Sequence, residues 1–226
     1  MGHGATTVSE QVGSDAVPAA RAHPAVLELA GVSRLHAGRP VWAPVDLTVA
    51  PGSLCVVTGD NGSGKTTLLR LAAGLLRPST GSRNCTGRAL YVRAGAGLRG
   101  VQTVADAVAT TAGLAGRRSA ATAALAQLGL GGCASRRVGT LSAGERVRVT
   151  LAAVLAVEPS LLCLDEPTGV LDERGVDDLL VVLKQLRAGG CAVLLATHQP
   201  EAVLAGADAH LHLAGGRVNL HDAVSA

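Results

Sequence analysis

Gly59-Asp60-Asn61-Gly62-Ser63-Gly64-Lys65-Thr66-Thr67 stands between an apolar run, Leu54-Cys55-Val56-Val57-Thr58, and a helix-like segment from Leu68 to Leu76. Strand, glycine-rich turn and helix form the setting in which G-x-x-x-x-G-K-[ST] works as a phosphate-binding loop. Glycines let the backbone curl so that successive N–H groups converge on phosphate oxygens. The helix behind adds its unpaired N-terminal N–H groups and the positive end of its dipole. In such a loop Lys65 bridges the β- and γ-phosphates and the Thr66 hydroxyl ligates Mg²⁺. The motif fixes few positions, so glycine-rich turns match it by chance; the flanking strand and helix argue against chance here.

The bulk composition agrees with a globular, not a disordered, chain. The 226 residues are 48% hydrophobic and 16% charged, enough for a buried core in one domain with a small subdomain. There is no Phe, and Trp42 and Tyr91 are the only large aromatics. Lys65 and Lys184 are the only lysines in a chain that otherwise uses arginine. A lysine kept inside the loop points to a chemical role for it. The net charge of +3 is too small to argue for nucleic acid as a partner. The pairs Arg117-Arg118 and Arg136-Arg137 read as solvated.

The five cysteines include no C-x-x-C pair, and Cys55, Cys163 and Cys191 fall in apolar runs. Buried, reduced thiols in a reducing compartment are the expectation. The N-terminal stretch lacks a charged region followed by an apolar run, so it does not read as a signal peptide. No stretch approaches the roughly 18 apolar residues of a membrane helix, so any membrane link is expected to pass through a partner.

Along the chain, residues 1–24 are small, polar and aperiodic and read as a disordered tail, with residues 25–224 as a single domain. Val26 to Val32 and Val45 to Val49 alternate as two early antiparallel strands. Arg77-Pro78-Ser79-Thr80-Gly81 stops the first helix, a short polar segment follows, and Ala89 to Val92 reads as a strand. Residues from about 101 to 157 turn Ala-rich and helical, broken at Gly113 to Gly116 and at Gly129 to Gly132. Leu161 to Leu164 and Cys191 to Ala196 are continuous apolar runs, as expected of parallel strands buried on both faces. A helix from about Glu173 to Arg187 separates them, and a hairpin, Ala209 to Leu213 with Arg217 to Leu220, ends the chain. Strands alternating with helices predict an α/β core with a parallel sheet.

Ligands of such sheets gather at the carboxyl ends of the strands. Asp165 and Glu166 end one buried strand and His198 follows another. Asp165 is placed to hold Mg²⁺ and Glu166 to orient or deprotonate an attacking water. His198 is placed to hydrogen-bond a γ-phosphate. Ser142-Ala143-Gly144 opens a helix; its N–H groups and hydroxyl are either a second anion site or a simple N-cap.

Together these motifs resemble the ATP-binding-cassette family, over residues from about 26 to 220. Gly59 to Thr66 resembles the Walker A motif. Leu141-Ser142-Ala143-Gly144-Glu145 resembles the family signature LSGGQ. Leu161 to Asp165 with Glu166 resembles Walker B and the catalytic glutamate, Leu171-Asp172 the D-loop, and His198 the switch histidine. The resemblance implies a P-loop NTPase core with a parallel sheet, an antiparallel β subdomain and a small α-helical signature subdomain. It implies ATP and Mg²⁺ as substrate and cofactor. It implies two cassettes paired head to tail, with Ser142 and Gly144 gripping the partner's ATP. It further implies a transmembrane permease as partner, and a cytoplasmic position on the inner face of the membrane.

Three departures stand out. The family's glutamine after the strand at Tyr91-Val92 aligns with Ala94, and Gln102 lies further on; this bears on coupling and turnover. The signature carries Ala143 and Glu145 in place of glycine and glutamine. The adenine-stacking aromatic aligns with His36, with Trp42 as the alternative platform. Thr197-His198-Gln199-Pro200 resembles the haem-exporter ATPase of cytochrome c maturation. An ATPase subunit of a membrane transporter is the expected function. The alternatives are a soluble cassette ATPase, for example of the iron–sulfur assembly type, and a hydrolysis-impaired nucleotide-sensing subunit.

Overall fold

The computed structural model describes residues 24–93 and 97–222. The expected tail therefore lies outside the described residues except for Pro24, as does Ala94.

The first strand, β1 (Leu27–Ser33), pairs antiparallel with β4 (Val45–Val49) on one side and with β6 (Thr80–Cys85) on the other. The short strands β2 (Leu35–His36) and β3 (Arg39–Pro40) form a separate ribbon. β6 replaces the short polar segment expected from the sequence. Its residues, Thr-Gly-Ser-Arg-Asn-Cys, are exposed or half-buried and carry no apolar alternation. It is a sheet edge, held by the main-chain ladder to β1, so its side chains leave no periodic trace.

The second sheet has six strands in the order β11-β10-β5-β9-β8-β7. They are β5 (Leu54–Gly59), β7 (Ala89–Arg93), β8 (Leu161–Asp165), β9 (Ala192–Ala196), β10 (Ala209–Ala214) and β11 (Arg217–Asp222). All neighbours run parallel except the terminal β10–β11 hairpin. β8 and β9 are buried along their whole length, because the sheet is covered on both faces. Alternate residues serve the two faces. Leu54, Val56, Leu162, Leu164, Val193 and Leu195 pack toward α4 (Ala143–Val157) and α5 (Glu173–Ala188). Cys55, Val57, Leu161, Cys163 and Leu194 pack toward α1 (Lys65–Ala72) and the β1 sheet.

Helices α2 (Val104–Leu114) and α3 (Ala121–Gln127) pack on α4 within the stretch expected to be helical. The short α6 (Glu201–Leu204) follows β9. α1 ends at Ala72, short of the expected Leu76, since the chain turns through Gly74 at φ 78°. Cys55, Cys163 and Cys191 are buried free thiols. Burial pushes Cys55 up to about 11 and Cys191 up to about 12, and drives Cys163 further in the same direction.

Candidate active site at the strand ends

The glycine loop joins the end of β5 to the start of α1. Gly59 has φ 139°, and a Cβ there would meet Leu213 O at 2.3 Å. Gly64 has φ 102°, and a Cβ there would meet the Trp42 ring and Val41 Cγ1 at 2.6 Å. Both positions thus require glycine for conformation and for space. No side chain caps α1, so its first N–H groups remain open to an anion.

Lys65 is 6% exposed, and its ammonium lies inside the loop. It donates to Gly59 O at 2.7 Å and Asp60 O at 3.3 Å, and lies 3.3 Å from His198 Nε2. Lysine offers no acceptor, so in this contact Lys65 Nζ is the donor and the Nε2 lone pair the acceptor. Glu166 Oε1 stands 3.9 Å from Lys65 Nζ and 3.2 Å from His198 Nε2. The second contact is off the hydrogen-bond direction and becomes an ion pair only if the ring is protonated. The other oxygen of Glu166 accepts the His198 backbone N–H at 3.2 Å.

Glu166 is one of three described non-glycine residues with positive φ, at 53°. Pro167 disfavours the right-handed helical region for it. Its N–H donates to Ala196 O at 2.9 Å, which ties the turn to the end of β9. The left-handed conformation costs about 1–2 kcal/mol and aims the carboxylate at the loop rather than along the strand.

Asp165 is 2% exposed. Its Oδ2 accepts from Thr66 Oγ1 at 2.9 Å and from Tyr91 OH at 2.7 Å. Its Oδ1 is buried with no hydrogen-bond partner among the described residues. A buried, unpaired carboxylate oxygen beside a threonine hydroxyl is a donor set that suits Mg²⁺. Burial, and next the bond to Asp165, push the Tyr91 phenol up, so it stays a donor.

A cleft of about 620 Å³ opens over these groups. Asp60, Asn61, Gly62, Gly64, Lys65, Thr66 and Thr67 line it, with Glu166, His198 and His36. Arg34, Arg70 and Arg93 also line it and were not singled out from sequence. Nor was Tyr91 as a site residue; its rarity in a chain with a single tyrosine was the available signal. Trp42 is 1% exposed and backs Gly64, so the alternative adenine platform is ruled out by burial. Gln102 donates to Thr110 Oγ1 and does not line the cleft.

Leu141 to Glu145 do not line this cleft. Ser142 is exposed and caps α4: Glu145 N–H donates to Ser142 Oγ at 3.1 Å, and Ser142 N–H donates to Glu145 Oε2 at 2.7 Å. Arg136 pairs with Glu145 Oε1 at 2.8 Å. The Ser142 backbone N–H and then Arg136 hold the Glu145 carboxyl below its ordinary value. Asp172 caps α5 by accepting from Gly175 N–H at 2.9 Å. A second cleft, about 640 Å³, lies at the amino ends of the strands and gathers no comparable set of groups.

A family model described as ABC transporter matches residues 42–169. Over 187 residues the chain is 36% identical to the zinc import ATP-binding protein ZnuC of Paramagnetospirillum magneticum, covering 81% of this chain and 71% of that protein. Over 162 residues it is 38% identical to the cytochrome c biogenesis ATP-binding export protein CcmA of Roseobacter denitrificans, covering 71% of this chain and 78% of that one. The solved structure of an ATP-binding subunit of an ABC transporter shares the fold, with a TM-score of 0.77 at 23% identity over 87% of this chain and 90% of that chain.

Proposed function

The chain belongs to the ABC transporter family, and from that premise we propose how its residues turn ATP hydrolysis into transport. It is an ATP-binding, ATP-hydrolysing subunit that powers a membrane transporter. The observation that carries the assignment of roles is the convergence of Lys65, Thr66, Glu166 and His198 on one cleft, with Asp165 hydrogen-bonded to Thr66 just beneath it.

The loop N–H groups of Gly59 to Thr67 and the open end of α1 hold the phosphates, and Lys65 turns from the loop carbonyls to the β- and γ-phosphates. Thr66 and Asp165 would hold Mg²⁺, which would supply positive charge against the phosphate oxygens. Glu166 accepts the proton of the attacking water, and His198 donates to the γ-phosphate. His36, exposed at the rim, stacks on the adenine.

The reading extends to partners. Because Leu141 to Glu145 stand away from their own chain's cleft, they serve a second cassette, with Ser142 and Gly144 on its γ-phosphate and Asp172 at the joint. Residues 25–224 act as one cassette domain, with 101–157 as its helical subdomain. A groove of about 340 Å³ runs between β7, α2 and α4, and Leu114 at its edge is 86% exposed. This groove supports docking of a transmembrane permease on the helical side. No described helix is long and apolar enough to cross a membrane; the peripheral place on the cytoplasmic face comes with docking on the permease.

Glu166→Gln tests the roles. The amide cannot take the proton, so turnover falls at least about 100-fold, while ATP stays bound and holds an ATP-dependent dimer visible by sedimentation. Hydrolysis at the parent rate would remove Glu166 from the role of base.

A further inference from the structure

We propose that Tyr91 is the positioning residue that turns the metal-binding oxygen of Asp165 toward the cation, an inference that rests on the Mg²⁺ reading of Thr66 and Asp165. The reasoning begins with lone pairs. A carboxylate oxygen accepts about two hydrogen bonds in good geometry. Asp165 Oδ2 already has two, from Thr66 Oγ1 at 2.9 Å and from Tyr91 OH at 2.7 Å. That oxygen is saturated, so the carboxylate is locked about its terminal torsion. Oδ1 is left buried and without a partner among the described residues, the Asp165 oxygen open to a cation or its bound water.

The lock is built from three elements. Thr66 and Arg70 are one turn apart on the same face of α1. The Arg70 guanidinium lies over the Tyr91 ring, 5.5 Å from its centroid. Tyr91 on the edge strand β7 then reaches Asp165 on β8. The chain of contacts closes on itself: Thr66, Asp165, Tyr91, Arg70 and back through α1. Deleting the phenol hydroxyl leaves the ring and its arginine in place but frees one lone pair of Oδ2. The carboxylate can then rotate, and Oδ1 is no longer presented in a single direction.

Tyr91→Phe is the matching variant, read with Mn²⁺ in place of Mg²⁺ and with the non-hydrolysable β,γ-imido analogue of ATP. The apparent Mn²⁺ affinity measured by electron paramagnetic resonance should fall about tenfold, with the analogue binding unchanged in chelator. Tyr91 is the only tyrosine in the chain, so protein labelled with ¹³C at the tyrosine ζ carbon gives one resonance. In the unaltered protein that resonance should shift when Mg²⁺ joins the bound analogue, and it should stay still in Asp165→Asn. Parent-like Mn²⁺ affinity in Tyr91→Phe, or an unmoved resonance, overturns the role of Tyr91 while Asp165→Asn still loses Mn²⁺. If Asp165→Asn itself keeps Mn²⁺, the metal reading falls and the proposal falls with it.

Discussion

Helix α1 starts at Gly64 with no side chain on its first N–H groups, whereas α4 starts at Ser142 with a closed capping box. Both helix ends carry motifs that suit a phosphate, yet they are satisfied in opposite ways. At α1 the donors are open, the first turn holds no acid, and the Lys65 ammonium lies beside them. At α4 two donors are met: the Glu145 N–H by Ser142 Oγ, and the Ser142 N–H by the Glu145 carboxylate, which Arg136 holds in turn. An anion reaching α1 gains N–H groups that nothing else uses. An anion reaching α4 must share that end with a fixed negative charge. On the proposed reading the first site binds by itself, and the second admits a phosphate only when the rest of a partner surface compensates.

The largest effect comes from breaking the open end. Lys65→Ala removes the only cation whose ammonium lies within the loop. We expect nucleotide affinity to drop about tenfold to 100-fold and turnover about 100-fold to 1,000-fold. Equilibrium titration with a fluorescent ATP analogue and a phosphate-release assay would check both. A variant that binds and turns over like the parent would show that the helix end alone carries the phosphates.

The closed end calls for a finer substitution. Ser142→Ala mixes two losses, since removing an N-cap costs about 1 kcal/mol of stability whatever the ligand. Glu145→Gln is cleaner: glutamine also closes a capping box, so only the charge changes. In a Glu166→Gln background, Glu145→Gln should tighten ATP-driven pairing about two- to fivefold, the scale of an exposed charge interaction. Analytical ultracentrifugation reads it directly. Unchanged or weaker pairing would mean that no phosphate approaches α4.

The same contrast explains what could be read in advance. The α1 end was legible because its glycines, its lysine and its two neighbouring apolar segments are all local. The buried strands β8 and β9 were legible for the same reason, as unbroken apolar runs. At α4 the sequence left cap and anion site equally open, and the structure supplies the cap, through Glu145. What stayed hidden depends on partners distant in sequence. β6 is a strand only because β1 offers its edge. Tyr91 reaches Asp165 across 74 residues of chain. Trp42, the alternative platform in the sequence, is buried because the backbone at Gly64 packs on its ring. Local chemistry announces itself in spacing; support from a neighbouring strand does not.

The smallest effect is the pH response of the closed end. The Ser142 N–H and Arg136 hold Glu145 below its ordinary value of 4.5. A carboxyl with a lower pKa in the folded chain binds fewer protons there than in the unfolded chain. Stability therefore rises with pH through the interval between the two values. The contribution is complete above the ordinary value and is lost as pH falls through the folded one. Glu145 is only partly buried, so the effect is a small shift in melting temperature and is screened by salt. Comparing parent with Glu145→Gln isolates it: the parent should melt higher near neutral pH, and the gap should close as pH falls from the ordinary value through the lower folded one. At α1 no acid in the first turn takes part in the cap, so this titration belongs to α4 alone. A gap that persists at low pH would mean that the carboxylate's charge contributes nothing to closing that helix end.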